Sequence, residues 1–239
     1  MLHCKEPIFF HMKDLLTKCK NKVEGLIMGA IQQIYNRLYH CYGSQGWWPA
    51  DTVFEMMIGA ILVQRTNWSN VEKALCQLTP YLSPEQLEAL PMEELEVAIR
   101  SSGFYRQKAK RIKAFLHWYK KYDYQLAHLR HVETETLRAE LLSIHGIGAE
   151  TANVLLLYAF QRPVFVVDAY ARRIFVRFGL DMPEKEQVFR LQVETECVLD
   201  TEGFKEFHAL IVQHAKEHCK MKPICSGCPL VDECERRGV

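Results

Sequence analysis

Apolar residues recur at steps of three and four through Val23, Leu26, Ile27, Ala30, Ile31, Ile34, Tyr35 and Leu38, which predicts a helix with one buried face. Gly43-Ser44-Gln45-Gly46 stops it, and Trp47-Trp48-Pro49-Ala50-Asp51-Thr52 reads as a loop. A mostly apolar helix from Val53 to Val63 follows, and Ser69 is placed to cap the next one, through Leu78. Ser83, with Glu85 and Glu88 in the opening turns, starts another, and Pro91 a further acidic one through Ile99. Helices are also predicted over 135–144, 150–160, 184–200 and 202–218, with a basic helix after Asp168. The apolar run Val164 to Val167 is too short and isolated to imply a sheet, so the pattern predicts an all-α protein.

At 239 residues the chain is long enough for one large domain or two modest ones. A net charge of +1 means that any nucleic-acid contact must come from a local basic surface. Such a surface exists between Arg100 and Lys121, which hold eight Lys or Arg and no acid. No apolar run approaches the ~18 residues of a membrane span. The first ten residues have too short an apolar stretch, and no small-residue cleavage site, for a signal peptide. A cytoplasmic location is therefore expected, nucleoid-associated in a bacterium. Nine cysteines, an odd number, argue against a pure disulfide framework.

The chemistry concentrates between Ser143 and Arg177 and at the end of the chain. Gly146-Ile147-Gly148 is a turn that opens a helix, where free backbone N–H groups can hold a phosphate. Asp168 closes the apolar run and starts the next helix, so it is both a candidate N-cap and a candidate catalytic carboxylate. Arg106, Lys108, Lys110, Arg111, Arg172 and Arg173 are candidate phosphate contacts, which position a protein on a duplex without reading its sequence. Cys219, Cys225, Cys228 and Cys234 fall within 16 residues, a density that points to a metal, with an iron–sulfur cluster or zinc both suited to four thiolates. The other five cysteines have no motif and read as ordinary thiols.

With those residues in place, the chain resembles the helix-hairpin-helix DNA glycosylases of the endonuclease III superfamily over roughly residues 25–234. The resemblance implies that Gly146, Ile147 and Gly148 bind a DNA phosphate through backbone amides, although His145 stands where proline is common. It implies that Asp168 is the essential aspartate and that the four terminal cysteines hold a [4Fe–4S] cluster, zinc being the alternative. It also implies a six-helix barrel over 46–162, and a second helical domain of 1–45 plus 163–239 with a cluster loop at 217–236. Gln64 matches the position that fills the gap left by a flipped nucleotide. Glu150 stands just before Thr151-Ala152-Asn153, where endonuclease III carries the lysine that forms a Schiff base; a carboxylate cannot form an imine.

Trp47-Trp48-Pro49, Trp68 and Glu150 look like the base pocket of the 3-methyladenine DNA glycosylase III branch. An alkylated purine is cationic and already a good leaving group, and electron-rich aromatic faces attract it by roughly 0.5–2 kcal/mol each where desolvated. The expectation is a monomeric base-excision enzyme acting on double-stranded DNA that contains a damaged base, with no membrane partner. It would flip that base out and hydrolyse its N-glycosidic bond, with strand cleavage weak or absent. The alternatives are a glycosylase for oxidised pyrimidines or mismatched bases, and a DNA-damage-binding protein without catalysis.

Overall fold

The computed structural model describes residues 29–239, which contain helices and connecting loops but no strand. The start of the helix predicted from Val23, together with Cys4 and Cys19, lies outside the described residues. Helix α1 (Ala30–Tyr42) buries Ile31, Ile34 and Leu38, the face that the periodicity assigns. Helix α2 (Val53–Leu62) has every residue from Met56 to Leu62 buried, so it is covered on all sides. Thr52 caps it, its hydroxyl accepting from the Glu55 N–H at 3.0 Å.

Helix α3 (Trp68–Leu78) is capped by Asn67 rather than by Ser69. Asn67 has the extended backbone of a cap and accepts from the Asn70 N–H at 3.0 Å, whereas Ser69 already lies inside the first turn. Ser83 caps α4 (Pro84–Ala89) as expected, and Pro91 precedes α5 (Met92–Ala98). The basic segment forms α6 (Tyr105–Lys120), and a short α7 (Leu126–Leu129) follows. Next come α8 (Thr134–Ser143) and α9 (Ala149–Val154), the latter running without a break into a wider π turn over Leu155–Ala159. The last three helices are α10 (Ala169–Phe178), α11 (Glu186–Glu196) and α12 (Thr201–Glu217).

Helix α2 packs against α3, α6 and the π turn, while α12 packs against α1, α10 and the same π turn. The π turn is therefore the seam between these two groups. Across it runs the buried extended stretch 164–167, which delivers Asp168 to the start of α10. Its backbone is not left unpaired: the Phe165 N–H donates to Glu194 Oε1 at 2.8 Å. The hairpin of α8 and α9 is locked to α11 by a buried network. Arg138 donates to Asn153 at 3.1 Å and pairs with Glu186 at 2.5 Å, and Asn153 donates to Glu186 at 2.6 Å. Such a network is worth having only when every member is satisfied, as these are. Among the described residues no helix is long and apolar enough to cross a membrane.

Candidate active site

Asp168 is the N-cap that its position suggests. Its Oδ1 accepts from the Ala171 N–H at 2.7 Å as the N-cap of α10, and the residue is 7% exposed. Burial pushes its carboxyl from 3.8 up to about 7, and the nearby Glu150 carboxylate adds to the rise, while the cap bond and Arg173 oppose it. Glu150, in the first turn of α9, is also held above its ordinary value by burial. Glu150 and Asp168 share one cleft, and Glu150 raises the proton affinity of Asp168.

That cleft, of about 250 Å³, is lined by Trp47, Trp48, Trp68, Glu150, Asp168 and Lys216, with His208 and Tyr170 beside Asp168. Trp48 is the centre of an aromatic cluster. It meets Trp47, Trp68 and Tyr158 edge to face, at ring separations of 5.8, 5.4 and 5.2 Å. Pro49 is exposed and does not line the cleft, contrary to its assignment as a pocket residue. It sits at the middle of a three-residue turn in which the Ala50 N–H reaches back to the Trp48 carbonyl at 3.0 Å, a geometry that suits the fixed φ of proline.

Gln64 also stands away from the aromatic cleft. Its Nε2 donates to the Gly146 carbonyl at 3.1 Å and to Thr151 Oγ1 at 2.9 Å, and its Oε1 accepts from Arg111. It borders a second depression with Arg65, Phe104, Gln107 and Arg111, where Phe104 is an exposed aromatic at φ +47°. The hairpin turn is shaped by contact as well as by backbone. Gly146 has φ +83°, and a Cβ there would lie 2.4 Å from the Arg111 side chain. Ile147 is buried under the turn, and Gly148 opens α9 with no side chain capping it.

The basic residues divide into two groups. Arg106 is exposed beside Tyr105 and 3.8 Å from Glu96, and Lys110 is exposed. Lys108 is the correction. It is fully buried, and its ammonium donates to the Leu62 carbonyl at 2.8 Å and the Ser102 carbonyl at 2.5 Å. It closes the C-terminal end of α2, where a cation meets the negative end of the helix, and it is not a phosphate contact. Burial lowers its pKa to about 8. Arg173 is taken up as well, donating to the Cys219 carbonyl at 2.8 Å and stacking over Tyr170.

Cys219, Cys225, Cys228 and Cys234 all line one further small cavity, of about 30 Å³, with Ile174, Phe178 and Leu230. Each lies close enough to Cys228 to raise its proton affinity. Among the described residues no three Cys, His, Asp or Glu side chains close on one point as a single ion requires. Four thiols lining one cavity are a donor set that an iron–sulfur cluster or zinc could use. Arg177 Nη1 lies 3.5 Å from Cys219 Sγ and His214 Nε2 lies 3.8 Å from Cys228 Sγ.

Sequence reasoning did not single out for this site the cleft residues His208 and Lys216, or Tyr158, which packs on Trp48 and pairs with His208. Tyr158 and His208 have no local motif, and Lys216 reads from sequence only as a charge near the cysteines. Its Nζ lies 5.5 Å from the centre of the Trp47 ring.

Comparison with known proteins is consistent with this arrangement. The HhH-GPD superfamily base excision DNA repair protein family matches residues 58–195. A protein of Methanocaldococcus jannaschii named "Putative DNA repair glycosylase" is 42% identical over 210 residues, covering 85% of this chain and 95% of that protein. The structure of a non-covalent endonuclease III–DNA complex superposes with a TM-score of 0.70 at 28% identity, over 87% of this chain and 97% of that one. Helicobacter pylori 3-methyladenine DNA glycosylase bound to 1,N6-ethenoadenine has the same fold, with a TM-score of 0.67 at 24% identity over 78% and 97%. The hairpin, the aspartate that follows it and a family match over more than half of the chain lead to one conclusion: this chain belongs to the HhH-GPD superfamily of base-excision DNA repair glycosylases.

Proposed function

We propose that this DNA glycosylase hydrolyses the N-glycosidic bond of an alkylated purine flipped out of duplex DNA, using water rather than an enzyme amine. The observation that carries the reading is the pair Glu150 and Asp168, an exposed carboxylate and a buried one in one cleft walled by tryptophans. Glu150 raises the cost of ionising Asp168, and a cationic base between them relieves that cost while stacking on aromatic faces. A neutral oxidised pyrimidine gains nothing from the paired charge. As the glycosidic bond lengthens, positive charge builds on the sugar, and ionised Asp168 stabilises it and takes a proton from the attacking water. The hairpin at Gly146, Ile147 and Gly148 is assigned the strand's phosphate. The cleft is assigned to the junction of a 46–162 domain and a 1–45 plus 163–239 domain.

Cys219, Cys225, Cys228 and Cys234 are assigned a [4Fe–4S] cluster, whose iron–thiolate bonds would tie the end of the chain to α10 through Arg173 and Arg177. Broad visible absorption that bleaches on reduction supports the cluster, and a colourless zinc protein refutes it.

The activity is tested with duplexes carrying single defined lesions, with and without Asp168→Asn. Release of 3-methyladenine that disappears in the variant supports the reading; binding without base release refutes it. Borohydride trapping tests the absence of an amine nucleophile. A near-stoichiometric protein–DNA adduct, lost in Lys216→Ala, would overturn the hydrolytic mechanism and identify the nucleophile.

A further inference from the structure

We propose that His208 is a second holder of the attacking water, sharing it with Asp168, and that Tyr158 fixes His208 in the tautomer this needs. The inference rests on the hydrolytic reading above. His208 is buried on α12 and lines the cleft, with its Nε2 3.9 Å from Asp168 Oδ2. Its Nδ1 is 2.8 Å from the Tyr158 hydroxyl, which is itself 3.2 Å from the Lys205 carbonyl. The wider π turn at 155–159 carries Tyr158 at this seam, where it packs on α12.

The tautomer follows from where donors can be satisfied. Burial drives the His208 pKa down to about 4, so the ring is neutral and has one N–H. A proton on Nε2 would face Asp168 across 3.9 Å, too far for a hydrogen bond. A proton on Nδ1 is accepted by the Tyr158 oxygen at 2.8 Å, and that hydroxyl gives its own proton to the Lys205 carbonyl. This arrangement satisfies both donors and leaves Nε2 as a bare acceptor facing the carboxylate. Two acceptors 3.9 Å apart repel one another unless a group with two hydrogens lies between them. One water, at about 2.8 Å from each, donates to both and keeps its lone pairs for the anomeric carbon.

In the reaction the C1′–O bond forms as the C1′–N bond breaks, and the bonding pair leaves with the alkylated base, which departs neutral. One water proton passes to Asp168, and the other stays on the new hydroxyl, held by His208. Asp168 rather than His208 takes the proton because about 7 exceeds about 4. The charges facing Asp168 are Glu150 from α9, Arg173 from its own helix, and Lys216 from α12 across the cleft; Glu202 and Glu206 face Tyr158.

The test is single-turnover release of 3-methyladenine from duplex DNA between pH 5 and 9. His208→Leu is expected to slow release about tenfold or more with DNA affinity unchanged, and His208→Gln, which restores an acceptor, to recover most of it. Tyr158→Phe frees the ring proton to move to Nε2, where it donates to the shared water and strengthens that water's hydrogen bond to ionised Asp168, so the acid limb shifts below pH 7. If His208→Leu keeps the wild-type rate and pH profile while Asp168→Asn is dead, this proposal fails and the hydrolytic reading stands. Should His208→Leu not fold, an unmoved acid limb in Tyr158→Phe overturns the proposal. Absence of base release by the wild-type protein, or an imine trapped by borohydride, removes the underlying reading and the proposal with it.

Discussion

Asp168 is held in a state that costs the fold stability, and Asp168→Asn should recover it. The carboxyl has an ordinary pKa of 3.8 and rises to about 7 in the folded chain, chiefly through burial. At 1.36 kcal/mol per pH unit this corresponds to about 4 kcal/mol. The folded state binds the proton more tightly than the unfolded state, so between those two pH values it holds more protons and stability falls as pH rises. The penalty is absent below about pH 4 and complete by about pH 8, with about 2–3 kcal/mol of it accruing between pH 5 and 8. Asparagine is nearly isosteric, remains a good N-cap for the Ala171 N–H and does not ionise. The variant should therefore be catalytically dead yet more stable, and its advantage should grow with pH. For a chain of this size the gap in Tm between variant and wild type should widen by about 5–10 °C from pH 5 to pH 8. Thermal denaturation of both proteins at the two pH values measures it. A gap that stays constant would show that Asp168 is not ionised against its environment, and the account of its pKa would fall.

Lys108→Met should destabilise the fold by about 2–3 kcal/mol in urea titrations, because the Leu62 and Ser102 carbonyls lose their shared donor. The same variant should leave the salt dependence of DNA binding unchanged, whereas Arg106→Ala should reduce that slope by about 1 if Arg106 neutralises a phosphate. Gly146→Ala places a Cβ at φ +83° and against Arg111, so DNA affinity should fall at least tenfold in fluorescence anisotropy, with a loss of about 1–3 kcal/mol in stability. Cys228→Ser should abolish visible absorption and lower Tm, since Cys228 lines the cavity shared by the four thiols.

Much of the fold is local in origin and could be read from the chain. The apolar period of α1, the caps Thr52, Ser83 and Asp168, and the glycine turn before α9 are all set by residues within about one helical turn of where they act. Asp168 was legible as both cap and acid for that reason, and the four cysteines were legible because they are neighbours in sequence.

What local pattern could not supply is which side chains meet across the seam. Lys108 lies in a run of cations that reads as a basic surface, but its helix buries the face carrying it, and two carbonyls 46 and 6 residues away take its charge. Ser69 and Asn67 are equally good caps by residue type, and only the backbone at residue 67 decides between them. Tyr158 and His208 lie 50 residues apart, and no periodicity links them. They meet because the π turn packs on α12, which sets His208 beside the aspartate. The sequence by itself determined the helices, the glycine turn before α9 and the acid that caps α10, since these depend on neighbours along the chain. The tertiary structure alone decided the proton affinity of that acid, the pairing of Tyr158 with the imidazole beside it and the burial of Lys108, because desolvation and hydrogen bonding depend on what long-range packing brings into contact.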